Sequence, residues 1–122
     1  MIGALMMRVG VVILLVGMLA GIAMGVLQDF TLAPAHAHFN LVGGVLLFLF
    51  GLYYTLVPGA GNTALAKLQG WLHIVGAFLF PAGVAIVVLK GTAYIAVPIV
   101  GSLIVVTAVA LFAVVVFRST RA

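Results

Sequence analysis

Four apolar runs follow one another with only short polar breaks, at about 6–27, 34–57, 68–89 and 94–117. Each is close to the roughly 20 residues that cross a bilayer as a helix. Backbone inside hydrocarbon must satisfy its own N–H and C=O groups, so a span is either a helix or a strand of a closed barrel. Runs of this length far exceed the roughly 9–11 residues of a barrel strand. The expected fold class is therefore all-α: a four-transmembrane-helix membrane protein, with residues 1–122 forming one domain and nothing left over for an extramembrane one.

Composition narrows the function classes. Hydrophobic residues make up 67% of the chain and charged ones only 5%, far below the roughly one quarter that keeps a soluble domain's surface wet, so a soluble enzyme is excluded. The chain has no cysteine, which excludes disulfides, thiolate metal sites, iron–sulfur clusters and cysteine nucleophiles. Five Lys and Arg stand against a single Asp. That is too sparse for a nucleic-acid patch, so the partner implied is membrane lipid and no nucleic acid is expected.

The cations instead report topology. Arg8, Lys67, Arg118 and Arg121 fall on one side of the four spans and Lys90 alone on the other. Positive charge stays inside, which puts both termini in the cytoplasm of a multi-pass protein of the cell inner membrane, with Asp29 and Lys90 facing outward. The first run is longer than the 7–15 residues of a signal-peptide core and is read as a permanent span. Pro34 suits the first turn of the second helix, Pro58-Gly59 ends it, and 58–66 is the longest turn-rich stretch. Gly17, Gly21 and Gly25 recur every four residues and make a smooth strip for close helix packing. Pro81 removes a hydrogen bond inside the third span and is expected to kink it. Tyr53, Tyr54 and Trp71 fall toward the inner interface, where an aromatic belt is expected.

Three histidines, His36, His38 and His73, lie within the apolar runs, and ionisable groups at membrane depth are functional candidates by default. At about 100° per residue, His36 and His38 point about 200° apart, to opposite faces of one helix, at depths differing by only about 3 Å. They cannot grip one ion together, but they can ligate two centres, one on each side of the helix. Neutral imidazole is the commonest metal ligand and the usual axial ligand of haem. Counted from the inner ends of two straight helices, His73 lies roughly 20 Å deeper than His38. It cannot share an iron with His38, and the role expected of it is a helix-to-helix or interfacial hydrogen bond. A second axial ligand for His36 or His38 then comes from Met24, near the outer end of the first helix, or from a second copy of the chain. In a closed ring the same head-to-tail interface repeats, so His36 of one protomer can face His38 of the next across a haem.

The segment Ala35-His36-Ala37-His38-Phe39-Asn40-Leu41-Val42-Gly43-Gly44, followed by Phe50-Gly51-Leu52-Tyr53-Tyr54 and Val57-Pro58, resembles the tenth transmembrane helix of haem–copper oxidase subunit I. Lys67-Leu68-Gln69-Gly70-Trp71 with Gly76 resembles the start of the helix after it. The resemblance covers about residues 33–90, and by position the whole chain would match the last four helices of that subunit, one of its three pseudo-symmetric four-helix arcs. It implies that His36 ligates a high-spin and His38 a low-spin haem, and that a homotrimer rebuilds the ring with a haem in each of three clefts. Lys90 is placed to pair with a propionate. The family's copper-binding histidines have no counterpart, Gln69 stands where a histidine is usual, and the propionate-binding arginine pair is missing. Copper is therefore not expected, and neither is a complete proton-pumping oxidase. The function expected is that of a haem b electron-transfer cytochrome, at most an oxidoreductase, with an unknown redox partner. The alternatives are a haem-based gas sensor and a cofactor-free accessory or assembly subunit of a respiratory complex.

Overall fold

The computed structural model describes residues 1–121, and those residues are helical nearly throughout. Four helices are long and apolar enough to cross a membrane: α1 (Ile2–Leu27), α2 (Ala33–Leu56), α3 (Ala64–Lys90) and α4 (Ala96–Ser119). Polar signals end them. Gln28 takes the left-handed conformation at the end of α1 (φ 51°) and its N–H meets the Gly25 carbonyl. Asp29 then accepts the Thr31 hydroxyl at 2.6 Å and the Thr31 N–H at 3.1 Å, and these bonds, the hydroxyl first, hold its carboxyl below the usual carboxylate range. After α2 the chain makes one helical turn at Pro58–Gly61. Thr63 caps α3 by accepting the Ala66 N–H, which starts that helix a turn earlier than its apolar run suggested. Gly91, at φ 98°, supplies the turn at the other end.

Lipid is as apolar as leucine, so helices associate through close packing of small residues. Along α1 and α2 the contact runs through glycines. A methyl added at Gly3 would lie 2.8 Å from the Gly51 carbonyl, and one at Gly10 would lie 2.9 Å from the Phe48 nitrogen. The α3–α4 contact is built the same way, with Gly76 against Val105, Gly83 against Pro98 and Gly101 against Phe80. The expected strip of Gly17, Gly21 and Gly25 does something else. Gly17 receives the side chain of Asn40, Gly21 receives that of His36, and Gly25 meets nothing within 4 Å.

The packed core includes Met6, Ile13, Leu47, Tyr54, Ala66, Ile74, Ala77 and Phe112. On α1 no residue beyond Gly17 is buried. The cores of the four helices are thus joined tightly toward the Lys67 and Arg118 end, and α1 draws away from the rest at the end bearing His36 and His38.

Candidate functional site

The first six residues of α2, Ala33–His38, carry both candidate ligands. Their side chains leave the helix in different directions. The His38 Nδ1 lies 2.6 Å from the Pro34 carbonyl oxygen, one turn back. A carbonyl only accepts, so Nδ1 carries the proton, and in the neutral ring the lone pair is left on Nε2. The ring stands edge-on to Phe80 of α3, with centroids 4.7 Å apart. One bond and one aromatic contact therefore fix its tautomer and its plane.

His36 turns toward α1 and rests on Gly21. Its Nε2 accepts a 3.3 Å hydrogen bond from the Asn40 Nδ2. The other ends of that pair, His36 Nδ1 and Asn40 Oδ1, are buried with no partner. His36 also lines a groove of about 330 Å³ with Ala20, Phe39, Phe78 and Pro81, in the gap where α1 separates from the other helices. The side chains thus leave the helix in different directions, His36 onto α1 and His38 onto Phe80 of α3.

Immediately after His38 the helix widens into a π-helical stretch, Phe39–Val45, before returning to α-helix at Leu46. Such stretches occur often at functional sites. Here the stretch brings Asn40 under His36, and Gly43 close to the carbonyl of Ala77 on α3. That carbonyl has no helical partner, because Pro81, four residues on, has no N–H to offer.

His73 is buried, and its Nε2 donates to the Val42 carbonyl of α2 at 2.8 Å. Its ring meets Phe50 edge-on at 5.0 Å. The helix-to-helix bond is one of the two roles expected of it, but the depth expected is corrected. Val42 lies only one turn, about 5–6 Å, inward of His38, so the estimate of roughly 20 Å fails. The count assumed straight α-helices with matching ends, whereas α3 starts earlier at Ala64 and the π-helical stretch shortens α2.

Tyr54 and Gln69 have a role in the core that their sequence context did not show. Tyr54 is buried, and its hydroxyl donates to Gln69 Oε1 at 2.8 Å. Gln69 is fully buried too, and its Nε2 donates to the Ala108 carbonyl at 3.1 Å. The pair ties α2 to α3 and α3 to α4, so Tyr54 is a core residue and not part of an interfacial belt. A glutamine inside an apolar run was the signal that could have found this tie. Trp71, by contrast, is exposed.

Met24 lies on α1 one turn beyond Gly21, half-buried, on the side of α1 against which His36 rests. Lys90 is the exposed last residue of α3, about 15 Å further along that helix than Phe80. Among the described residues no three His, Asp or Glu side chains gather in one place. Each histidine can offer a metal one ligand only. Comparison with protein families, with characterised proteins and with solved structures finds no match for this chain.

Proposed function

We propose that this chain is a haem b-binding cytochrome of the cell inner membrane, with both termini in the cytoplasm, that transfers electrons. In this reading it is built like one four-helix arc of haem–copper oxidase subunit I and forms a homotrimer, in which His36 of one protomer and His38 of the next would hold the haem. The observation that carries the reading is the 2.6 Å bond from His38 Nδ1 to the Pro34 carbonyl. Metal-ligating histidines almost always donate their second nitrogen in this way, which orients the ring and raises its basicity. Phe80 holds the same ring from the side.

The donor set fits a macrocycle better than a bare ion. Each histidine stands alone, as an axial ligand does, and the gap beside His36 is lined by alanine, proline and phenylalanine. Haem bound there supplies a one-electron couple at its iron. The chain's own residues do the rest: Pro34 sets the tautomer of His38, Asn40 yields its 3.3 Å bond to His36 Nε2, and Lys90 offers a cation for a propionate. Met24 is the ligand within the same chain if no second copy takes part.

A second reading rests on Asn40. While its amide stays on His36 Nε2, His38 is the one histidine of this pair with a free lone pair, and a haem held by His38 alone would supply gas-binding chemistry, as in a sensor.

Absorption spectroscopy of the purified, haem-supplied protein is the test. The expected result is a Soret band and sharp bands on reduction, lost in His38→Ala and shifted or lost in His36→Ala. A colourless preparation after haem is supplied refutes both readings and leaves a cofactor-free accessory subunit. An open position reveals itself by carbon monoxide shifting the reduced spectrum of the wild-type protein.

A further inference from the structure

Arg8 and Lys67 are exposed cations at the same end of the helices, and no acidic side chain among the described residues lies at that end. The only acid of the chain is Asp29, which follows the opposite end of α1. Both cations line hollows on the face between α1 and α3. The first hollow, of about 440 Å³, is bounded by Lys67, Trp71, Asn62 and Thr63 with Ile2 and Leu5 of α1. One turn further along the same side of α1 lies the second, also about 440 Å³, lined by the aliphatic stem of Arg8 with Val12, Val16, Phe39 and Phe78. A hollow beside the Lys67 cation is thus followed, along the same side of α1, by a purely apolar one nearer the middle of the membrane.

We infer that this face binds one anionic phospholipid, with its phosphate between Lys67 and Arg8 and one acyl chain lying in the apolar hollow past Val12 to Phe78. Charge complementarity decides the occupant. A second copy of the chain presents no acidic side chain at this depth, because Asp29 follows the other end of α1, whereas lipid supplies phosphate at the interface and hydrocarbon below it. Basic pockets between transmembrane helices recognise lipid headgroups in this way. Trp71, 49% exposed beside Lys67, stands where an indole sits at headgroup level. The Asn62 side-chain amide adds a neutral donor for the ester and phosphate oxygens.

Native mass spectrometry of the full chain, released from detergent with equal amounts of dioleoylphosphatidylglycerol and dioleoylphosphatidylcholine, tests the site. One phosphatidylglycerol per chain is expected to survive, in preference to phosphatidylcholine. Arg8→Gln with Lys67→Gln should weaken retention by about tenfold or more, because each cation near a lipid surface contributes on the order of a factor of five. Arg8→Lys with Lys67→Arg should keep it. Val12→Trp should lose it without any change of charge, and Arg121→Gln should leave it intact. Equal retention of the two lipids by the wild-type protein overturns the proposal without reliance on any variant. So does unchanged retention in the double glutamine variant, or a change in the number of chains per particle in place of bound lipid, which would make the face a protein interface.

Discussion

The Pro34 carbonyl decides which nitrogen of His38 can meet a metal, and the Val42 carbonyl makes the opposite choice for His73. Nitrogen-15 NMR of the haem-free protein should therefore find His38 protonated at Nδ1 and His73 at Nε2. If His38 is instead protonated at Nε2, the argument for it as a ligand is lost. His36 is governed by Asn40. Asn40→Ala removes the amide on Nε2 and should tighten haem binding in a haem titration. Gly17→Ala should act in the same direction, because the added methyl collides with Asn40 Oδ1 and displaces that side chain. A weaker haem affinity in both would show that Asn40 orients His36 for binding. The spacing of His36 and His38 was enough to place them on different faces, since a short α-helical segment has a fixed angle per residue. The partners of their nitrogens were not legible, because they come from backbone carbonyls and from a side chain one turn away. Gln69 was passed over for a related reason. Judged only by what it replaced, it hid what it does, which is to join three helices with Tyr54. Tyr54→Phe leaves Gln69 Oε1 without its donor and should cost about 1 kcal/mol. Gln69→Ala adds a cavity and strands the tyrosine hydroxyl, and should cost about 2–3 kcal/mol. Far-UV circular dichroism during SDS-induced unfolding would rank the two.

Between helices, the close approaches recur at a spacing of seven on three of the four: Gly3 and Gly10 on α1, Gly44 and Gly51 on α2, Gly76 and Gly83 on α3. A seven-residue repeat is the seam of gently coiled helix packing. The four-residue strip of Gly17, Gly21 and Gly25 drew attention first, yet it holds side chains, not a neighbouring backbone. Four spans were legible from apolar length alone, since bilayer thickness sets that length. Which face packs was not. In water a helix shows its core as an apolar stripe, whereas in lipid the outward face is as apolar as the inward one and the stripe vanishes. The π-helical stretch was hidden for the same reason, as a change of helical phase leaves no mark on a uniformly apolar run. Substitution separates the two kinds of glycine. Gly51→Ala drives a methyl to 2.6 Å from the Gly3 carbonyl and should destabilise the bundle by about 1–3 kcal/mol. Gly25→Ala meets nothing and should leave unfolding unchanged or slightly delayed. Equal effects in the same SDS unfolding measurement would mean that α1 and α2 do not approach as closely as described.

The whole molecule is divided by depth. Toward Arg8, Lys67 and Arg118 the helices share a core and a polar tie through Gln69, while toward His36 and His38 α1 stands away and the packing opens. If His36 and His38 in the open half are ligands, they would find a natural completion in a ring, where each interface repeats the same pair. That arrangement makes a prediction no single-chain site shares. A homotrimer of His36→Ala protomers lacks one ligand at every interface, and so does one of His38→Ala protomers, so neither alone should give a six-coordinate spectrum. Mixed and reassembled in equal amounts, the two variants should regain it, because an interface between a His38→Ala protomer's His36 and a His36→Ala protomer's His38 is complete. With random assembly, about one interface in four has that composition, so recovery should approach about a quarter of the wild-type signal per chain. No recovery on mixing, with both variants folded and trimeric, would refute ligand sharing. A six-coordinate spectrum in the unmixed His38→Ala protein would direct attention to Met24 as the partner of His36 within one chain.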